Sequence, residues 1–211
     1  MYLPAHFEET RSEMLHALMR DYPLATLVAH GADGLAAHHL PLHFAAAIPP
    51  QGALQGHVAR ANPLWQESAN AEVLVIFHGP QAYVTPSWYP TKRLHGKAVP
   101  TWNYAVVHAH GRLRAIEDPA WLRAQLETLV GRHEAGFAEP WGIADAPPEY
   151  IDKMLAAIVG IEIAITGLQG KWKLSQNQPP ANRAGVVAGL RRQGMDDAMQ
   201  MAALVAGTLK P

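Results

Sequence analysis

Two short stretches hold the residue types best suited to chemistry: Val99-Pro100-Thr101-Trp102-Asn103-Tyr104 and Lys173-Leu174-Ser175-Gln176-Asn177. Between them they bring aromatic rings, amides and hydroxyls to the ends of two predicted strands. That mixture suits a planar ligand with a polar edge. An aromatic face supplies contact area and stacking, while amides and hydroxyls supply donors and acceptors for the edge of a ring. Neither stretch matches a generic nucleotide-binding pattern.

Four other groupings carry polar side chains at suggestive spacing. In His57-Val58-Ala59-Arg60-Ala61-Asn62-Pro63 a strand leads through a cation into a helix N-terminus. A phosphate there would meet a guanidinium and free backbone N–H groups; the plainer reading is a surface arginine before a capped helix. In His38-His39-Leu40-Pro41-Leu42-His43 a strand would set His39 and His43 on one face and His38 on the other, unless Pro41 bulges it. These histidines are either the polar wall of a pocket or a solvated face. His108 and His110 share a face at i, i+2, but no acidic residue lies near in sequence to complete a metal site. Trp88 and Tyr89 either cover a ligand or close a barrel end by packing.

The elements that must position these groups follow from apolar spacing and breakers. Residues 7–21 are predicted as a helix, with Met14 and Leu18 on one face and Leu15 and Met19 beside them. Pro23 ends it. Leu24 to His30 is a strand, Gly31-Ala32-Asp33-Gly34 a hairpin turn, and Leu35 to Phe44 the returning strand, bulged or at an edge because of Pro41. Ala53 to Val58 is a further strand, and Asn62-Pro63 opens a short helix. Glu72 to His78 is a buried strand, after which Gly79-Pro80 is expected to turn the chain into a short strand over Ala82 to Thr85. Pro86 to Pro100 is irregular and carries Trp88, Tyr89, Lys92, Arg93, His95 and Lys97, a content typical of functional loops.

Thr101 to Ile116 is a long strand. Asp118-Pro119 opens a helix over 118–133 whose Trp121, Leu122, Leu126, Leu129 and Val130 make an apolar stripe. Glu149 to Val159 is a helix, and Ile161 to Leu174 a strand pair or one bent strand around Gly167 and Gly170. Residues 180–207 are helical and broken at Gly194. Strands in runs, with helices at the ends and between, argue against alternating βαβ units. They predict a mainly β, α+β fold: an antiparallel, partly closed barrel with peripheral helices. Residues 1–177 form the expected barrel and 178–211 a helical arm of the same domain.

Composition narrows the function classes. The chain has 211 residues, 49% hydrophobic and 17% charged, with net charge −1. It is long enough for one sizeable core, and it has no overall attraction for nucleic acid or membrane. No apolar run reaches a membrane span. Met1-Tyr2-Leu3-Pro4 lacks the basic start of a secretory signal, so a cytoplasmic location is expected. Cysteine is absent, which removes disulfides, thiolate catalysis and Cys-ligated metals. Twelve histidines are a surplus, either scattered polar positions or a metal or haem site. Gly-x-Gly-x-x-Gly, the P-loop and the Gly-x-Ser-x-Gly elbow do not occur, and His133-Glu134 lacks a second histidine at zinc-protease spacing. Arg183, Arg191 and Arg192 are too few to define a DNA-reading helix pair.

The chain resembles the PaiB-type FMN-binding regulators, a family described as negative transcriptional regulators of protease synthesis and sporulation. The matching segments are Met1-Tyr2-Leu3-Pro4-Ala5-His6-Phe7, His39-Leu40-Pro41-Leu42, Gly56 through Pro63, Phe77 through Tyr89, Val99 through Tyr104, and Lys173 through Asn177. They occur in the family's order across nearly the whole chain. The resemblance implies a split β-barrel similar to pyridoxamine-phosphate oxidases, paired as a homodimer with FMN in a cleft between subunits. It implies that Arg60 and Asn62 lie near the phosphate, with the backbone around Ala59. His39, Leu40 and His57 would line the cleft. Thr101, Trp102, Asn103 and Tyr104 would face the ring or ribityl chain, with Lys173 and Gln176 close to the cofactor. No catalytic residue and no metal ligand is assigned. The regulatory reading needs a DNA or protein partner that the sequence does not reveal. The alternative is an FMN-dependent oxidoreductase, in which His39, His57 or Tyr104 would act as donor or base.

Overall fold

A computed structural model describes residues 1–49 and 51–209. The chain divides into two compact units. One holds Met1–Asp21, His78–His108 and Gln169–Pro211; the other holds Tyr22–Phe77 and Ala109–Leu168. Among the described residues, no helix is long and apolar enough to cross a membrane.

The N-terminal segment forms strand β1 (Glu8–Glu9) and helix α1 (Ser12–Asp21). Next come β2 (Leu24–Gly31), β3 (Gly34–Pro41), β4 (His43–Ala45), β5 (Ala53–Ala59) and a one-turn helix α2 (Leu64–Glu67). Strand β6 (Glu72–Val84), the short helix α3 (Lys92–His95) and strand β7 (Thr101–Ile116) follow. The rest is α4 (Pro119–Glu134), α5 (Pro148–Ala156), β8 (Ile158–Lys173), α6 (Pro180–Gln193) and α7 (Asp196–Gly207). The eight strands make one sheet in the order β3-β2-β6-β7-β8-β5-β4, with β1 on β8. The registered pairs are antiparallel, as the runs of strands and short turns predict.

Local chemistry sets several boundaries. Asp118 accepts a hydrogen bond from the Ala120 N–H at 2.9 Å and Pro119 follows it, so α4 starts where the Asp-Pro pair predicts. Asn62 accepts from the Leu64 N–H at 2.9 Å at the start of α2. Gly194, with φ 68°, separates α6 from α7. Leu27, Leu54, Val75, Phe77, Leu113, Ile161, Ile163 and Ile165 are fully buried in the second unit. Leu122, Ile143, Ile151 and Leu155 make a cluster where α4 meets α5. In the first unit Met19, Val84, Val186, Leu190, Met201 and Val205 are buried. Each such side chain contributes roughly 1.5–3 kcal/mol.

The structure corrects four expectations. The first helix begins at Ser12, not residue 7, because Glu8 and Glu9 pair with Lys171 and Gly170 of β8. Gly79-Pro80 does not turn the chain: β6 runs unbroken through it. Residues 73, 75 and 77 are buried, and so are 80, 82 and 84, so the inward side shifts by one residue at His78–Gly79. Of the two alternatives for the segment after α5, the single strand is the one that forms, and it begins at Ile158 rather than Ile161.

Finally, Leu35 to Phe44 is not one strand. Leu42 separates β3 from β4, and these two stand at opposite ends of the strand order. Leu42 is fully buried and donates its N–H to the Pro23 carbonyl at 2.9 Å. A Cβ on Gly56 would come within 2.7 Å of Leu42 Cδ2 and 2.9 Å of the Pro41 oxygen. Only glycine lets β5 pass that close.

The same break separates His39 from His43, so they do not form one wall. His43 is buried beside Gln55 on β5, to which its β4 neighbourhood pairs. Burial holds its pKa below the ordinary histidine value, opposed by the Gln55 hydrogen bond and reinforced by the Arg132 charge. The unfolded chain therefore takes up a proton near the ordinary pKa of about 6.5 while the folded chain does not. Acidification through that pH is expected to cost stability, and His43→Gln should lose less than wild type over the same range. Chemical denaturation at about pH 7.5 and about pH 5.5, on either side of that ordinary value, checks this; equal losses in the two proteins would refute it.

Candidate functional site

The residues singled out in the sequence fall into two sets, one in each unit. The first lies where β7 begins and β8 ends. Lys173 Nζ donates to Thr101 Oγ1 and, at 2.9 Å, to the Trp102 carbonyl. Asn103 is fully buried and exchanges hydrogen bonds with the Ser175 hydroxyl at 3.0 and 3.2 Å. Ser175 has φ 62°, a left-handed conformation that costs a non-glycine residue on the order of 1 kcal/mol or more. Gln176 braces the same bend: its side-chain oxygen accepts from the Leu174 N–H at 2.7 Å, and its amide donates to the Trp172 carbonyl at 2.5 Å.

Around this bend lies a cleft of about 140 Å³, lined by Tyr89, Thr101, Asn103, Lys173, Ser175 and Gln178 among others. Burial pushes the Tyr89 phenol up, opposed by its hydrogen bond with Ser175. Burial holds the Lys173 ammonium below the usual lysine value; Tyr104 opposes this and the Lys171 charge adds to it. Lys171 is itself buried, donates to the Tyr2 carbonyl at 3.0 Å, and stands 5.7 and 5.5 Å from the Tyr2 and Tyr104 ring centres. Trp102 is 48% exposed. Its Nε1 donates to Gln81 at 3.1 Å, and its ring lies edge-on to Tyr83 at 6.0 Å. Both rings line a groove of about 500 Å³ that also touches Gln193, Met195 and Asp197.

The second set surrounds the end of β5. The Arg60 guanidinium donates to the Ala156 and Ile158 carbonyls at 2.9 and 3.1 Å and to Glu117 at 2.6 Å. It thus ties the α5–β8 junction together. Ala59 pairs with Ile158, and the Asn62 N–H donates to the Ala59 carbonyl at 2.8 Å. Asn62 Nδ2 is 3.4 Å from His38 Nδ1. His39 Nδ1 is 3.2 Å from Thr26 Oγ1 on the paired strand, and Leu40 is buried opposite Ala25. His57 Nδ1 is 3.1 Å from Gln125 Oε1; Gln125 is buried and its Nε2 has no partner among the described residues.

Sequence reading missed Glu117 and Gln125. Both lie on or beside α4, and no local pattern ties them to β5. Tyr89 is buried, while Trp88 packs against α6, with its ring where a Cβ on Gly189 would fall. Trp88 therefore packs as part of the structure, the second of the two readings offered for it. Among the described residues, no group of three or more His, Asp or Glu side chains gathers as a metal site.

A phosphorylated flavin fits these donor sets in kind. The groove beside Trp102 and Tyr83 lies within the size range of ligand pockets and has an aromatic wall. Arg60, Lys171 and Lys173 supply cations. Two features do not fit: Arg60 is already engaged with Glu117 and two carbonyls, and the cavity beside it is lined by the carboxylates of Glu117 and Asp152.

The sheet, not closed between β3 and β4, has the fold of split-barrel flavin-binding proteins. The fold matches that of the FAD and heme binding protein from Mycobacterium smegmatis, with a TM-score of 0.58, 19% identity, and coverage of 79% of this chain and 73% of that one. Residues 1–167 match a family described as "Putative FMN-binding domain", and the chain belongs to that family. It is 32% identical to the protease synthase and sporulation protein PAI 2 of Bacillus subtilis over 211 residues, covering 100% of this chain and 99% of that one. It is 36% identical to an uncharacterised protein of Emericella nidulans, over 93% of this chain and 92% of that protein.

Proposed function

We propose that the protein is a flavin-responsive regulator that works in the cytoplasm as a homodimer, with one FMN per subunit. The observation that carries the reading is membership of the FMN-binding family over residues 1–167. Likeness to a Bacillus protein named for protease synthesis and sporulation supports the regulatory part. Bound FMN would supply a ring whose charge changes on reduction. In this reading Arg60 swings from Glu117 to neutralise the phosphate, and Asn62 holds the turn after Ala59. His39, Leu40 and His57 line the cleft. Thr101, Trp102, Asn103 and Tyr104 face the ring or ribityl chain, and Lys173 and Gln176 set the bend beside them. A net charge of −1 favours a protein partner over direct binding to DNA.

FMN has about 31 heavy atoms, and at roughly 0.3 kcal/mol per atom its binding free energy is about 9 kcal/mol, a Kd near ~0.2 μM. The test is an absorbance spectrum after excess FMN and desalting, with light scattering for subunit number. Retained flavin at one equivalent per subunit of a dimer is expected. Absence of binding in a fluorescence titration overturns the reading. Rapid NAD(P)H oxidation by the loaded protein would instead favour the oxidoreductase alternative. Trp102→Ala should also raise the emission yield of saturated bound flavin, because an indole in contact quenches it; an unchanged yield would exclude contact.

A further inference from the structure

Five of the eleven arginines, Arg11, Arg20, Arg60, Arg114 and Arg123, have a carboxylate within 4 Å. Lys171 and Lys173 have none among the described residues. They stand two residues apart near the end of β8, and their partners are a hydroxyl, two carbonyls and two aromatic rings. Lys173 lines the cleft beside Ser175 and Lys171 a separate one beside Tyr2 and Tyr104; in such partly desolvated settings a missing countercharge is expensive.

The cleft at Lys173 is equipped to receive that countercharge. Thr101 Oγ1 accepts from Lys173, which leaves its own proton free to donate. Asn177 and Gln178 add amides to the lining. The strained Ser175 backbone is held by fully buried Asn103, a form of strain that clusters at ligand sites. A volume of about 140 Å³ equals a few water molecules at ~30 Å³ each. It takes one oxyanion and a few further atoms, not a flavin ring.

We propose that this cleft binds a small oxyanion, a carboxylate or phosphoryl group, between Lys173 Nζ, the Thr101 hydroxyl and the amides of Asn177 and Gln178. The assignment does not depend on FMN being held at Arg60. The source of the group is a free small anion or the phosphate of a larger molecule, FMN included.

Thermal melting of the full chain with inorganic phosphate or acetate, each against chloride at matched ionic strength, tests it. Saturable stabilisation beyond chloride is expected, about tenfold weaker in Lys173→Met and several-fold weaker in Thr101→Val. Lys153→Met, which removes an exposed cation of α5 outside the cleft, should respond as wild type does. No saturable response beyond chloride overturns the proposal, as does an equal response in wild type, Lys173→Met and Thr101→Val. If Lys173→Met does not fold, Thr101→Val decides. Adding FMN or riboflavin separates the sources. Displacement of phosphate by FMN but not riboflavin assigns the cleft to the cofactor's phosphate, and simultaneous binding assigns it to a free anion. If no flavin binds at all, the phosphate and acetate titrations still stand, so the two readings fail separately.

Discussion

Gly185→Ala is expected to destabilise the protein by about 3 kcal/mol and to lower its melting midpoint by roughly 6–12 °C. Helix α6 crosses the turn of Pro86–Trp88 at this residue. A Cβ there would sit 2.0 Å from the Trp88 carbonyl oxygen, and one on Gly189 would sit 2.2 Å from the indole. The obstacle at Gly185 is backbone, so no rotamer relieves it. The helix or the turn must move, and Tyr89, which lines the oxyanion cleft, follows Trp88 directly. Gly131→Ala in α4 is the control, because no atom lies within 4 Å of its Cβ; it should be neutral or stabilising by up to about 1 kcal/mol. Equal melting midpoints for Gly185→Ala and wild type would show that α6 does not depend on this close approach.

Arg60→Ala should weaken FMN binding roughly 10- to 100-fold, the loss of one charge-assisted contact with a phosphate. It should also cost about 1–2 kcal/mol of stability, since the guanidinium loses two carbonyls and Glu117 but is 40% exposed. Glu117→Gln divides these roles. If the guanidinium turns to the phosphate, removing its competitor keeps FMN binding equal to or tighter than wild type. If Arg60 only ties α5 to β8, fluorescence titration gives the same Kd for Arg60→Ala, Glu117→Gln and wild type, and the phosphate assignment falls.

What the sequence made legible was local. The bounds of β7 and the Asp118-Pro119 start of α4 depend on neighbours a few residues away, and both were readable. The pairing of Glu8 and Glu9 depends on a strand more than a hundred residues later, so apolar spacing extended the first helix wrongly. Gly79-Pro80 reads as a turn from its own chemistry, yet packing carries β6 through it. For the site, residue types were legible and contacts were not. Thr101 and Lys173 were both singled out, but their hydrogen bond spans 72 residues. Arg60 was readable as a cation before a capped helix. Its engagement with Glu117 and the carbonyls of Ala156 and Ile158 was not, because nothing within its own segment records them.

The inward shift along β6 means that odd-numbered side chains are covered before His78 and even-numbered ones after Gly79. Buried positions end at Phe77 and resume at Pro80, where a regular strand would resume at residue 79. Residue 79 is nonetheless covered, since a Cβ there would come within 2.8 Å of Leu18 Cδ1. Shortening or lengthening β6 by one residue there would carry Pro80, Ala82 and Val84 to the other face of the strand, so its length is as constrained as its side chains.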